Sequence, residues 1–271
     1  MMKRIRILAI CNALFFLLHL VPAQLTQLKL LSGQTIGDVS DKYFTLFTPA
    51  GITFAIWGVI YLALAAFCVY HLVKAFKEDA SHEANRAISR IGYLFMINSL
   101  ATGLWTIAWV HEWLLVSVGL MLLQLVTLIL IQLTVGIYNP KRSAASRWFT
   151  QFPLSIYFGW ICIATVANIS ATLVGYSWHG FGLPPEFWTM LMIAVAAAIT
   201  VFVVLTRRNA FVGVVTIWAF YGIILKHQAL NSASSQDIIT TAWLCLALVV
   251  LAVLFIVYRN ISQSKKVLSA G

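Results

Sequence analysis

Charge is what this sequence lacks most. Of its 271 residues only 10% are charged and just eight are Asp or Glu, whereas soluble domains carry about a quarter charged residues. The apolar share is 61%, well above the roughly one half of an ordinary globular chain. A helix needs about 20 apolar residues to cross a bilayer, so eight crossings would use roughly 160 residues and leave about 110 for ends and loops. That arithmetic excludes a soluble enzyme lobe, a nucleic-acid-binding domain and an ATP-hydrolysing cassette. No glycine-rich loop of the Walker type occurs either.

The acids are not merely few but peripheral. Asp38, Asp41, Glu78, Asp79, Glu83, Glu112, Glu186 and Asp237 all fall between or at the ends of apolar runs. Proton-coupled transport usually uses an intramembrane carboxylate or histidine relay. Only His19, in the first run, could serve, and a lone histidine there reads first as a satisfied interior residue. There is no HExxH, no paired carboxylate and no Ser-His-Asp set at one depth, so the chain is not expected to be an enzyme. Cysteine is scarce as well: Cys11, Cys68, Cys162 and Cys245 each stand alone in a different run, which suits small buried hydrophobes rather than a disulfide framework or a zinc site.

What is present is a succession of eight apolar runs, near 6–26, 50–73, 90–110, 113–138, 152–176, 187–206, 210–227 and 238–258. His111 and Glu112 separate the third from the fourth and predict a tight hairpin at the membrane surface. The +10 net charge sorts by side. Fifteen of the 18 Lys and Arg, including Lys3, Arg4, Lys74, Lys141, Arg207, Lys265 and Lys266, fall on one face; Lys29, Lys42 and Lys226 fall on the other. Under the positive-inside rule this places both termini in the cytoplasm. The first run also reads as a signal peptide ending near Val21-Pro22-Ala23; retention as a helix is the favoured reading. The fold class is therefore an all-α integral membrane protein, a polytopic bundle of about eight transmembrane helices.

Connections are short apart from residues 27–49, which are either a lid over a pocket or a plain surface loop. The aromatic link 178–188 suits the headgroup level, as do Trp113, Trp148, Trp178 and Trp188. After it the spans carry fewer polar residues, which divides the chain into a unit over 1–178 and a three-helix module with a short tail over 179–271.

Three spans carry aromatic stripes at helical spacing. The second offers Phe54, Trp57 and Tyr61; the third Asn98, Thr102, Trp105 and Trp109; the fifth Tyr157, Trp160, Ala164 and Asn168, with Thr165 alongside. Singly, each such stripe reads first as helix packing. Together they suit a cavity for a large, flat, apolar ligand, because Trp and Tyr combine broad faces with one polar end.

Those stripes resemble the TspO/MBR family, the tryptophan-rich sensory or translocator proteins. The family's fifth-helix pattern, Tyr-x-x-Trp-x-x-x-Ala-Thr-x-x-Asn, is similar to Tyr157, Trp160, Ala164, Thr165 and Asn168 in register. Pro49 followed by Phe54, Trp57 and Tyr61 looks like its second helix, and Asn98 with Trp105 like its third. The long first loop is another family trait. Departures exist: only Tyr43 stands where a Trp-Tyr pair is usual, Pro49 is single, Pro153 is displaced, and Thr102 replaces an Asn. The resemblance covers about residues 1–178, a TspO-like five-helix unit; residues 185–258 have no counterpart in the five-helix proteins, so the chain resembles an enlarged member with three extra helices.

The resemblance implies a receptor-like sensory protein binding hydrophobic ligands, above all tetrapyrroles such as protoporphyrin or haem, or sterol- and lipid-like molecules. The implied ligand-binding residues are Phe54, Trp57, Tyr61, Asn98, Trp105 and Trp109, together with Tyr157, Trp160, Ala164, Thr165 and Asn168. No metal and no cofactor is required, a tetrapyrrole entering as ligand; porphyrin photochemistry at Trp105 and Trp109 is a possibility the family raises. The alternative reading is a transporter or exporter of small apolar molecules. Expected partners are the lipid bilayer and a hydrophobic small molecule, with no nucleic acid. Family members commonly pair, which leaves a homodimer open. The expected location is the bacterial inner (plasma) membrane.

Overall fold

A computed structural model describes residues 1–137, 142–232 and 235–269, the last seven by backbone alone. Lys141 and the side chains of Lys265 and Lys266, which entered the charge distribution, lie outside the described residues. Among the described residues every secondary-structure element is a helix. In order it forms α1 (Met2–Gln27), α2 (Ile36–Lys42), α3 (Ile56–Lys77), α4 (Glu83–Ile91), α5 (Leu94–Val110) and α6 (Leu114–Val135). Then follow α7 (Ala144–Ser146), α8 (Phe152–Gly175), α9 (Pro185–Arg207), α10 (Ala210–Leu230) and α11 (Ser235–Ser269).

Seven segments are long and apolar enough to cross a membrane, and the bent pair α4–α5 supplies an eighth. This is the expected polytopic bundle, and it is built inside out relative to a soluble protein. Leu62, Leu115, Phe202, Leu244 and Leu251 are exposed on its flanks, where lipid replaces water, while polar groups turn inward to find partners.

Two boundaries differ from the sequence reading. The third run does not begin as a straight span: α4 and α5 meet at 59°, because Gly92 takes φ +56° between them. The amphipathic α4 is anchored by Asn85, whose Nδ2 lies 2.7–3.2 Å from the carbonyls of Lys74, Glu78 and Asp79 at the end of α3. The fifth run is preceded by α7 and a π-turn at Arg147–Gln151, ahead of Pro153, which cannot donate a helical hydrogen bond. The hairpin at His111 and Glu112 forms as expected, between α5 and α6.

Two apolar cores run through the bundle. One is shared by α1, α3, α4, α5, α6 and α8, and the other by α9, α10 and α11. Helix α10 joins them: Val212 and Val215 belong to the first core, Phe220 and Ile224 to the second. Contact with α8 is close because Gly159 faces the α10 backbone, where a Cβ would stand 3.3 Å from the Val212 carbonyl. Helix α1 packs along α3 and α5 through Ile5, Leu8 and Phe16.

Candidate functional site

The 27–49 connection folds over one end of the bundle. Thr35 caps α2 with a reciprocal pair of hydrogen bonds, its Oγ1 accepting from Asp38 N–H while the Asp38 carboxylate accepts from Thr35 N–H. The α2 carbonyl of Ile36 accepts a 3.1 Å hydrogen bond from Trp109 Nε1 on α5. At the turn after α5, Glu112 gathers three side chains of the connection: Lys42 Nζ at 2.6 and 2.7 Å, the Tyr43 hydroxyl at 2.6 Å and Gln34 Nε2 at 3.2 Å. These donors, Lys42 first and then Tyr43 and Gln34, hold the Glu112 carboxyl down to about 2. The connection is therefore a pinned lid.

Beneath it lies a small cavity of about 40 Å³. Ile36 and Ser40 of α2 form its roof, and Pro49 and Phe54 one side. Trp57 of α3, Trp105 and Trp109 of α5, and Trp160 of α8 provide aromatic walls. Ala164, Ala167 and Ala171, with Ile163 and Asn168, complete the α8 wall, the small residues keeping that side open. The rings pack on one another. Trp105 stacks against both Trp57 (6.3 Å, 28°) and Trp109 (6.1 Å, 16°), while Trp160 meets Trp57 and Phe54 edge-on.

Seven of the residues expected at the site thus converge on one cavity: Phe54, Trp57, Trp105, Trp109, Trp160, Ala164 and Asn168. Four stand elsewhere. Asn98 is committed to α6, its Nδ2 donating to the Gln124 carbonyl (3.0 Å) and to Thr127 Oγ1 (2.8 Å). The Tyr157 hydroxyl shares a 2.6 Å hydrogen bond with Thr102, which also reaches the Asn98 carbonyl and Gln124 Oε1. Thr165 donates back to the Ile161 carbonyl in its own helix. Tyr61 stacks behind Trp57 and toward His19. These residues follow the packing reading, polar groups tying membrane helices together. Asn168 does both, lining the cavity while its Nδ2 donates to Ser117 Oγ on α6 at 3.0 Å.

The sequence reading missed the lid residues Ile36 and Ser40, since nothing in a loop sequence fixes which side chain turns down. It also expected His19 to be satisfied. Among the described residues both His19 ring nitrogens are buried without a partner, as are both polar atoms of Asn12; His19 is flanked instead by the rings of Phe16 and Tyr61.

The cavity's support comes partly from beyond residue 178. Ala50 N–H donates to the Gly222 carbonyl of α10 at 2.9 Å, and Trp218 Nε1 donates to the Thr53 carbonyl at 3.0 Å. A Cβ on Gly222 would overlap the Thr53 hydroxyl and stand 3.0 Å from Pro49 Cβ, so only glycine permits this approach. His227 Nε2 donates to the Leu46 carbonyl at 2.8 Å. Helix α10 therefore holds the backbone that leads into α3.

No curated protein and no solved structure matches the chain. A family model does, over residues 9–255, and so runs through the helices that follow residue 178 as well as those before it. That family is described as TSPO-like protein, and with its apolar helices and lidded aromatic cavity the chain belongs to it, as an integral membrane protein of the sensory or ligand-binding kind.

Proposed function

We propose that the chain is a receptor-like membrane protein that takes a flat hydrophobic ligand, a tetrapyrrole such as protoporphyrin or haem before a sterol- or lipid-like molecule, under the lid and without turnover of its own. The observation that carries this reading is a pair of orphaned donors. Trp105 and Trp160 both line the cavity, and the indole N–H of each is buried with no acceptor among the described residues. A buried donor without a partner costs about 1–3 kcal/mol, and an acceptor on a bound ligand would remove that cost. Four indole faces around the same space supply stacking surface.

At about 40 Å³ the cavity holds a few waters at most, far below the roughly 300–1,000 Å³ of a site for a drug-sized ligand. Loading therefore requires α2 to lift or the rings to swing outward. Ala164 lines the α8 wall, and its methyl leaves room that a larger side chain would take. With the basic loops on the cytoplasmic face, the lid lies on the opposite side, and both termini are cytoplasmic, in a bacterial inner membrane.

The test is a titration of the purified chain in detergent with protoporphyrin and with haem, followed by tryptophan quenching and the porphyrin absorption band. Saturable binding near micromolar that is lost in Ala164→Phe and in Trp57→Ala, with helicity unchanged, is the expected result. Binding that survives both variants would move the ligand out of this cavity. No binding to a folded sample would overturn the tetrapyrrole reading.

A further inference from the structure

A second and larger cavity lies at the lid end of the bundle, between the end of α8, the aromatic link and the start of α9. It measures about 640 Å³, within the usual range of ligand sites. Phe44 and Phe47 of the lid connection form one wall, Leu173 of α8 a second, and Met192 of α9 a third. Trp178, Trp188, His179 and Glu186 also line it. The two indoles lie 5.2 Å apart at 58°, and Trp188 is fixed by a 3.0 Å hydrogen bond from its Nε1 to the Gly180 carbonyl.

Two features indicate what the cavity accepts. The first is its surroundings: Phe181, 83% exposed, packs on Trp178, and the exposed Phe187 packs on Trp188. Exposed aromatic side chains of this kind settle at the headgroup level, so the cavity opens toward the bilayer interface. The second is charge. Each lysine at this end is already paired with an acid: Lys29 with Asp38 (2.9 Å), Lys42 with Glu112 (2.6 Å) and Lys226 with Asp41 (3.5 Å). Glu186 is half-buried and, among the described residues, has no ion pair. A carboxylate without an ion pair that lines the same largely apolar chamber as two indoles has the chemistry that recognises an ammonium group.

We propose that this cavity is a second binding site, distinct from the one under α2, for an amphiphile with an apolar chain and an ammonium head. The chain lies along Phe47, Leu173 and Met192, and the head sits between Glu186 and the Trp178–Trp188 pair. The site is independent of the tetrapyrrole reading, because the two cavities share no lining residue.

The experiment uses the full chain in maltoside micelles, titrated with dodecyltrimethylammonium and, separately, with dodecanol as the uncharged probe of equal chain length. Tryptophan emission is the readout. The expected result is a saturable change at a lower mole fraction for the ammonium probe. Glu186→Gln should raise its half-saturation by about fivefold and leave that of dodecanol unchanged. Met192→Trp should abolish both responses, with Thr189→Phe as a second cavity-filling variant if the first loses helicity. Equal half-saturation for the two probes, or no effect of Glu186→Gln, would overturn the ammonium assignment; saturation that survives both filled variants would overturn the site. In the same samples Ala164→Phe should leave the ammonium response intact and Met192→Trp should leave protoporphyrin binding intact, so failure of either site is separately visible.

Discussion

The Tyr43 hydroxyl donates a 2.6 Å hydrogen bond to Glu112 Oε2, joining the lid to the α5–α6 turn across 69 residues of sequence. The same carboxylate receives Lys42 and Gln34, so one side chain holds the lid at three points. Glu112 has φ +61°, a conformation uncommon for a residue with a Cβ. That turn places its carboxylate directly beneath the connection.

Glu112→Gln should loosen the lid without unfolding the bundle. The amide keeps one acceptor oxygen but loses the charge that attracts Lys42. Tryptic cleavage after Lys42 should quicken by roughly two- to fivefold, while the melting temperature of the helical signal changes little. Equal cleavage rates in the two proteins would show that the lid is held by other contacts.

The same tie should respond to acid. The folded Glu112 carboxyl lies at about 2 against an ordinary 4.5. A depressed carboxyl contributes stability that is present above its ordinary value and lost as pH falls through the folded one. Lid closure should thus be unaffected from pH 7 to pH 5 and weaken progressively between about 4.5 and about 2. Hydrogen exchange of the 35–43 amides, corrected for the intrinsic rate, would report it; protection that falls only above pH 5 would contradict this assignment. Asp38, held down to about 2 chiefly by Lys29, should titrate over a similar low range.

Asn98→Val separates packing from binding. The Asn98 amide joins α5 to α6, and an interhelical hydrogen bond in a membrane protein contributes about 1 kcal/mol. The variant should unfold at lower denaturant concentration while binding ligand like the parent. A loss of affinity with unchanged stability would return Asn98 to the site.

Gly222→Val tests whether α10 shapes the first cavity. The new side chain would meet Thr53 and Pro49 and push the lead-in to α3 away from α10, with an overpacking cost of about 1–3 kcal/mol. Both a lower melting temperature and a changed tryptophan emission are expected, since Phe54 and Trp57 follow directly. An unchanged emission spectrum would show that the turn adapts without moving the rings.

Much of this protein was readable from composition and spacing. Hydrophobic run length fixed the number of crossings, because only helices of about 20 residues can bury their backbone polar groups in hydrocarbon. Helical periodicity put Trp57, Trp105 and Trp160 on inward faces, and those three meet around one cavity. Periodicity could not decide which neighbour a polar side chain would find. Asn98 and Asn168 look alike in sequence, yet Asn98 is taken by α6 while Asn168 both bonds Ser117 and reaches the cavity. The division at residue 178 marks a change in composition, but composition does not show that Trp218 and Gly222 grip residues 50–53.

The sequence by itself determined a bilayer-embedded helical bundle and its stripes, because solvent and helix period act residue by residue. Tertiary structure alone decided that the rings close on one another to leave about 40 Å³, that Glu112 pins the lid, and that α10 carries the turn into α3. Those outcomes depend on hydrogen bonds and close contacts between residues far apart in the chain, from 69 residues for Tyr43 and Glu112 to 181 for His227 and Leu46, and no local pattern encodes such pairings.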